Sequence, residues 1–507
     1  MRFLIMQWRK LHDLSSEQSR IILIIVLVLL TTVSPIGWHI VVLNVPEKLI
    51  QKAIETQLKN EYRIELAEGS LKILWSFIVS AQSIGALFGC LALIPFERSF
   101  GVKNSLFIIN NTILFLSSVC FFLSFYVETT FLLIAGRLLI GIYTGLGTGL
   151  LPIYIQELAP TKIKGALSCL IHIAILLGGG IAGLLSLQIF LGNAWTWHLL
   201  LSIPAASCIV QTAFARCFPH TPGYFLTRGQ SFKAADSVRY YYRIIAPDDA
   251  AAIHQYRQLV PKYPDQYSFW TAMRHRRTRI AIGLGMLVSS TQIFSGAMAS
   301  VAYSTSMFQS VSIFNSFVSL FPTLGSLFSI ILSLPALRLV ETSGRKPLLL
   351  NTLIMCAVAN YLLCGISVIQ QYFTNLGVWG TIGIFFSFFL LGLGYNLGVG
   401  PVGFFLPIEL VDVHFVSAAM SCAVATNWLL NMVTTLIYYP VNEIFGGWSY
   451  LMFAVPTTLA ILLLKQKLPE TKHTDGSTTS EVILSCNAVL PIDDEDQESA
   501  PIYGTFD

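Results

Sequence analysis

Twelve stretches of this 507-residue chain are long and apolar enough to cross a lipid bilayer. They lie at about 21–43, 73–95, 104–127, 131–156, 165–190, 196–217, 279–307, 313–340, 347–370, 376–408, 417–440 and 446–467. About 20 apolar residues in a helix traverse roughly 30 Å of hydrocarbon. Inside that layer backbone N–H and C=O groups have no water to bond, so such stretches fold as helices. The composition agrees: 54% of residues are hydrophobic and 11% charged, whereas soluble domains carry roughly 25% charge. The first stretch follows a polar segment and is not followed by a small-residue cleavage site, so it reads as a retained helix rather than a removed leader.

An even number of spans puts both termini on one side. On that side fall 25 of the 31 Lys and Arg residues. The other side has five, Lys48, Lys52, Lys59, Arg63 and Lys72, and the last, Arg137, lies within the fourth span. Basic residues collect on the cytoplasmic side of membrane proteins, so both termini are expected there. The net charge of +4 follows from this bias and gives no reason to expect a nucleic-acid partner; the expected partner is the lipid bilayer. The nine cysteines fall in spans, at inner helix ends or in the tail, so no structural disulfide is expected.

The longest polar stretch, 219–278, separates six spans from six. The expected organisation is a cytoplasmic N-terminus (1–20), a six-helix bundle (21–218), a cytoplasmic loop with short helices (219–278), a second six-helix bundle (279–468) and a disordered cytoplasmic tail (469–507). Within the loop, "SFKAADSVRYYYRII" has the character of an amphipathic helix. The halves resemble each other. "ERSFGVKNSL" after the second span matches "VETSGRKPLL" after the eighth, with Gly101 and Gly344 in corresponding places. Many secondary transporters are built from such repeats, with the binding site near the midplane between them. The expected fold class is an all-α membrane protein of twelve transmembrane helices in two pseudo-symmetric six-helix bundles.

The fourth and fifth spans contain "AGRLLIGIYTGLGTGLLPIYIQELAPTKIKGAL". Together with the duplicated turns, this resembles the sugar porter branch of the major facilitator superfamily, particularly the animal facilitative glucose transporters. Gly136, Arg137, Pro152, Tyr154, Glu157, Pro160, Gly165 and Ala166 match the family pattern there, and Lys164 replaces its Arg. "WHIVVLNVPEKLI", "YSTSMF" (Tyr303–Phe308), "GVGPVGFFLPIEL", "NWLLN" (Asn427–Asn431) and "LPETK" continue the likeness in order along the chain.

The resemblance implies a substrate pocket. A sugar site needs amides and hydroxyls that donate and accept, beside an aromatic face. The family's pocket positions fall here at His172, Gln292, Ile293, Met298, Ser329, Asn396, Phe404, Asn427 and Asn431. Of these, Gln292, Asn427 and Asn431 keep the family's amides, and all three are expected to line the cavity; His172 has a satisfied core histidine as its alternative. Ile293 and Met298 are apolar where the family has amides, Ser329 is a hydroxyl where it has Asn, and Phe404 stands for its Trp. His39 occupies the place where proton-coupled members carry Asp; its alternatives are proton sensitivity, packing or cavity lining.

The resemblance also implies a charge network that holds one end of the bundle shut: Arg137, Glu157, Lys164, Glu341, Arg345, Glu409 and Glu470. Anchoring helix ends in headgroups is the alternative. The network is thinner in the first half, where "PHTPG" puts His220 and Gly223 in place of the family's Glu and Arg. Gly398, Gly400, Pro401 and Gly403 are expected to break the tenth helix, and Gly296 to loosen the seventh. The expectation is a facilitative uniporter of a small polar solute, a hexose by resemblance, working by alternating access in the plasma membrane. The alternatives are a carrier of another organic solute, or a transceptor or other non-transporting relative. The sequence holds no metal cluster, nucleotide loop or nucleophile–base pair, so neither enzymatic chemistry nor a cofactor is expected.

Overall fold

The computed structural model describes residues 16–63, 68–160, 163–244, 246–259, 269–297, 320–372 and 377–472. Among these the chain is helical, with ten helices long and apolar enough to cross a membrane. The difference from twelve has two causes. The second and third spans run on as one helical stretch, Gly69–Tyr126. The seventh, Arg276–Phe294, is described only as far as residue 297. Met298 and Tyr303–Phe308 lie outside the described residues, as does the tail beyond 472.

The turn inside Gly69–Tyr126 is made by Gly101, at φ 75° and ψ 160°. Its counterpart Gly344 has φ 87° and ψ 165°. Both are left-handed conformations that a side chain disfavours. The repeat read from the sequence is thus a repeat of backbone geometry.

Glycines also set the helix packing. A Cβ on Gly37 would strike the backbone of Ile175, and one on Gly178 the backbone of Ser34. The first and fifth spans therefore touch backbone to backbone, a use of small residues that membrane helices favour. The fifth span packs in turn on the eighth and tenth, and the second on the eleventh, which joins the two halves. Exposed apolar side chains such as Leu23, Phe131 and Leu91 point outward to where lipid belongs.

Outside the spans the polar loop carries Pro222–Thr227, Ser231–Tyr242, Asp249–Leu259 and Phe269–Arg274 as helices. The second of these is the amphipathic segment expected. A helix that was not expected, Glu47–Tyr62, follows the first span. Gln57 on it accepts from the backbone N–H of Thr130 at 3.0 Å and from its hydroxyl at 2.6 Å, pinning this helix to the start of the fourth span.

Candidate functional site

A cavity of about 570 Å³ lies among the first, fifth, eighth and tenth spans. It extends from Asn44 and Leu324, at the end of the bundle away from the described C-terminus, to His172 and Phe404. His172, Ser329, Asn396 and Phe404 all line it, so four of the expected pocket residues come together. The wall is otherwise mainly apolar and includes Phe328, Phe385, Phe388 and Phe389.

The tenth span is not broken by its glycines and proline, as expected, but widened. Tyr395–Val399 form a π-helical turn, and Gly400–Glu409 continue as α-helix. Pro401 has no N–H to give to the preceding turn, and a π turn absorbs the mismatch without opening the chain. The glycines serve close approach. A Cβ on Gly400 would lie 2.6 Å from the His172 ring, one on Gly403 2.5 Å from the Gln292 amide, and one on Gly398 would overlap Thr352. The π turn starts with Tyr395 and Asn396, and both face the cavity.

Gln292 and Asn427 do not line this cavity. They sit with Ser289 and Trp428 around a pocket of about 30 Å³. Asn427 Nδ2 donates to Gln292 Oε1 at 2.8 Å and to the Ser289 carbonyl at 3.0 Å, while Gln292 Nε2 donates to the Gly400 carbonyl at 2.8 Å. Ile40, Ile175 and Phe404 border both spaces and divide them. Asn431 borders neither: it accepts from Thr435 at 3.2 Å and from Ser83, on the second span, at 3.5 Å. Ile293 is buried away from both.

His39 also turns away. It is 1% exposed and stacks on Phe121 of the third span with ring centroids 5.4 Å apart. Its neighbours Gly37, Ile40 and Val41 take the cavity-facing side of the first span. Arg137 is corrected more sharply. Among the described residues it joins no carboxylate but donates to three backbone carbonyls, His39 at 3.0 Å, Val79 at 3.2 Å and Ile78 at 3.4 Å. This guanidinium ties the fourth span to the first and second, well away from the charged end. Its five fixed donors suit that task.

At the charged end the second half is clasped by Arg345. The guanidinium lies 3.3 Å from Glu409 and 3.7 Å from Glu341. Thr471 donates to Glu409 at 2.6 Å. Glu470 accepts the backbone N–H groups of Arg345 at 2.8 Å and Lys346 at 3.1 Å, capping the ninth span. Glu341 reaches the other half, accepting from the Ala166 N–H at 3.2 Å beside Lys164. Glu157, 2% exposed, lies against the loop helices, and the Tyr256 hydroxyl contacts its carbonyl at 3.4 Å. Ser421 donates to the Cys90 carbonyl at 2.8 Å, a further bond between halves.

In the first half a histidine stands where that capping carboxylate stands in the second. Pro219-His220-Thr221 repeats Pro469-Glu470-Thr471 at the corresponding place. His220 stacks on Tyr224 at 4.2 Å, Tyr224 covers Gly101, and Arg228 lies 4.2 Å over the same ring. Burial, and then Lys103 and Arg228, push the imidazole pKa down from 6.5 to about 4. The Pro-x-Thr repeat is the sequence signal for this pairing. Tyr395 had no such signal.

The chain matches the family model described as "Sugar (and other) transporter" over residues 23–481. The chain belongs to this family. Its members are transporters rather than enzymes, and this one is a multi-pass integral membrane protein. It is 26% identical over 456 residues to facilitated glucose transporter member 1 of Gallus gallus, covering 88% of this chain and 89% of the relative. It is 28% identical over 445 residues to member 3 of Homo sapiens, covering 86% and 87%. The structure of the proton:xylose symporter XylE bound to 6-bromo-6-deoxy-D-glucose superposes with TM-score 0.73 at 20% identity, over 92% of this chain and 99% of that one. That match concerns the fold, which in this family member is the twelve-helix major facilitator fold.

Proposed function

We propose that the protein is a facilitative carrier that moves a sugar down its gradient by alternating access between its two halves, with the charged end in the cytoplasm. The observation that carries this reading is the pairing of a shut end with a cavity. Arg345, Glu341 and Glu409 close one end and reach Ala166 of the other half, while the large cavity lies toward the opposite end. That is the geometry of a carrier with its cytoplasmic side closed. Arg345 is 8% exposed and Glu409 18%, so each charge needs its partner while this end is shut, and water must replace that partner when the clasp parts. A uniport mechanism is supported by the absence of Asp and Glu from the middle of any span and by the position of His39 against Phe121 rather than in the cavity. The relatives named as facilitated glucose transporters favour a hexose, and the plasma membrane, where a sugar enters a cell, is the location proposed.

The test is tracer flux in liposomes containing the purified protein. Saturable exchange of radiolabelled hexose that ignores an imposed proton gradient is expected. Flux that follows the proton gradient would make the protein a symporter. A screen of hexoses, polyols and organic anions that finds no saturable flux would remove the carrier reading.

A further inference from the structure

A groove of about 600 Å³ lies between the third and sixth spans and shares no lining residue with the cavity between halves. Its lining changes character with depth. At one end is Arg216, which follows the helix Ala205–Ala215 where the chain leaves the sixth span for the polar loop. One turn further into the span stands Thr212, bonded to Asn111 of the third span and near Thr112. Beyond that the lining is apolar: Ile209 and Phe115, 65% and 48% exposed, face outward to where lipid belongs. Along the helix, Arg216 and Ile209 are about 10 Å apart at roughly 1.5 Å per residue. One groove therefore runs from charge, through hydroxyls, to hydrocarbon.

Two of its polar groups have capacity to spare. Arg216 is exposed and has no carboxylate within ion-pairing distance among the described residues. The Thr212 hydroxyl, also exposed, accepts from Asn111 Nδ2 at 3.2 Å, and its own proton has no acceptor among the described residues. Thr112 differs, because its hydroxyl already donates to the Ile108 carbonyl at 2.8 Å within its own helix. The groove thus offers a cation and, one turn deeper, a hydroxyl donor. An exposed donor on a spanning helix needs an acceptor that hydrocarbon does not supply. A glycerophospholipid carries the matching partners in the matching order. Its phosphate takes charge-assisted bonds from a guanidinium, an ester carbonyl accepts from Thr212, and an acyl chain lies along Phe115 and Ile209. The group beyond the phosphate decides between lipids. A choline head brings a second cation beside Arg216, whereas an uncharged head leaves the phosphate's negative charge unopposed for it.

We infer that the groove between the third and sixth spans is a binding site for an acidic glycerophospholipid, with its phosphate on Arg216, an ester carbonyl on Thr212 and an acyl chain against Phe115 and Ile209. The site lies on the lipid-facing surface and stands whether or not the carrier reading does.

The experiment titrates the full-length protein, in detergent micelles, with palmitoyl-oleoyl phosphatidylglycerol or palmitoyl-oleoyl phosphatidylcholine, which share their acyl chains. Native mass spectrometry counts the bound lipids and gives the affinity of the first. The phosphatidylglycerol is expected to bind about fivefold more tightly, the scale of one arginine at an anionic surface. Arg216→Gln should remove that preference. Thr212→Val should weaken both lipids severalfold and keep the preference. Arg277→Gln, at an exposed arginine of the same end that does not line the groove, should leave both affinities unchanged. Thermal midpoints of the variants establish that they are folded. Equal affinity of the parent for the two lipids overturns the inference, and so does a preference that survives in folded Arg216→Gln. A loss in Arg277→Gln as large as that in Arg216→Gln would overturn it as well, by assigning the effect to the charge of the whole face. Indifference of both lipids to folded Thr212→Val overturns the placement of the ester.

Discussion

Asn427 Nδ2 lies 2.8 Å from Gln292 Oε1, a bond that joins the seventh and eleventh spans inside the second half. The two amides meet each other rather than the large cavity. Each is also anchored to a backbone carbonyl, Gly400 for Gln292 and Ser289 for Asn427.

A double-mutant cycle should show this dependence. Gln292→Leu and Asn427→Leu each leave a partner without its bond, at about 1–3 kcal/mol. The double variant should lose less than the sum of the two, with a coupling on the order of 1 kcal/mol. Thermal midpoints in nanodiscs measure it. Strictly additive losses would mean the amides act separately.

Phe404 is the partition between the amide pocket and the large cavity. Phe404→Ala should join the two spaces and expose hydrogen-bonding groups to the solute. D-glucose affinity is expected to rise severalfold in calorimetric titrations, with a lower thermal midpoint from the lost packing. Unchanged glucose affinity in a folded variant would show that the amides stay out of reach.

Glu409→Gln keeps the shape of the clasp but removes the charge opposite Arg345, 3.3 Å away. The charged end should then open more often. Cys90, fully buried where Ser421 bonds its carbonyl, is a natural reporter. In a background with the other cysteines replaced, its maleimide labelling rate should rise severalfold. A rate equal to that of the parent would show that the Arg345 cluster does not govern closure.

His220 should make stability pH-dependent in one window. Its pKa falls from 6.5 to about 4 on folding, through burial and then Lys103 and Arg228. Between those values the unfolded chain binds a proton that the folded one does not, so stability falls as pH drops from 6.5 to about 4 and changes no further below. His220→Gln should flatten that part of the profile of thermal midpoint against pH. A profile identical to the parent's between those limits would overturn the assignment.

The spans were legible because a bilayer demands long apolar runs, and the Gly101 and Gly344 turns because each carries a repeated motif around a glycine. The family frame followed from the fourth and fifth spans. The site was less legible, for a geometric reason. Whether Gln292 faces a solute or Asn427 depends on which side of Phe404 it falls, and a residue count along one helix does not reveal that. His39 and Ile40 are adjacent, yet one packs on Phe121 and the other borders the cavity. Arg137 joined the expected charge network by resemblance alone, whereas in the structure it donates to three backbone carbonyls. Glu47–Tyr62 was missed because its polar composition reads equally well as loop.

The contact between Gly37 and Gly178 and the opposing backbones has a mechanical consequence. At those two crossings no side chain stands between the first and fifth helices, so nothing there can change rotamer to let them slide. They form a stiff spar, and flexure must occur elsewhere, at Gly296 with φ 80° and at the π turn of Tyr395–Val399. Spin labels on the first and fifth spans should therefore keep a fixed separation through the transport cycle while distances from either to the tenth span change. A variable first-to-fifth distance would mean that the spar bends. In such a cycle one wall of the cavity would serve as a rigid post and the opposite wall as the part that swings.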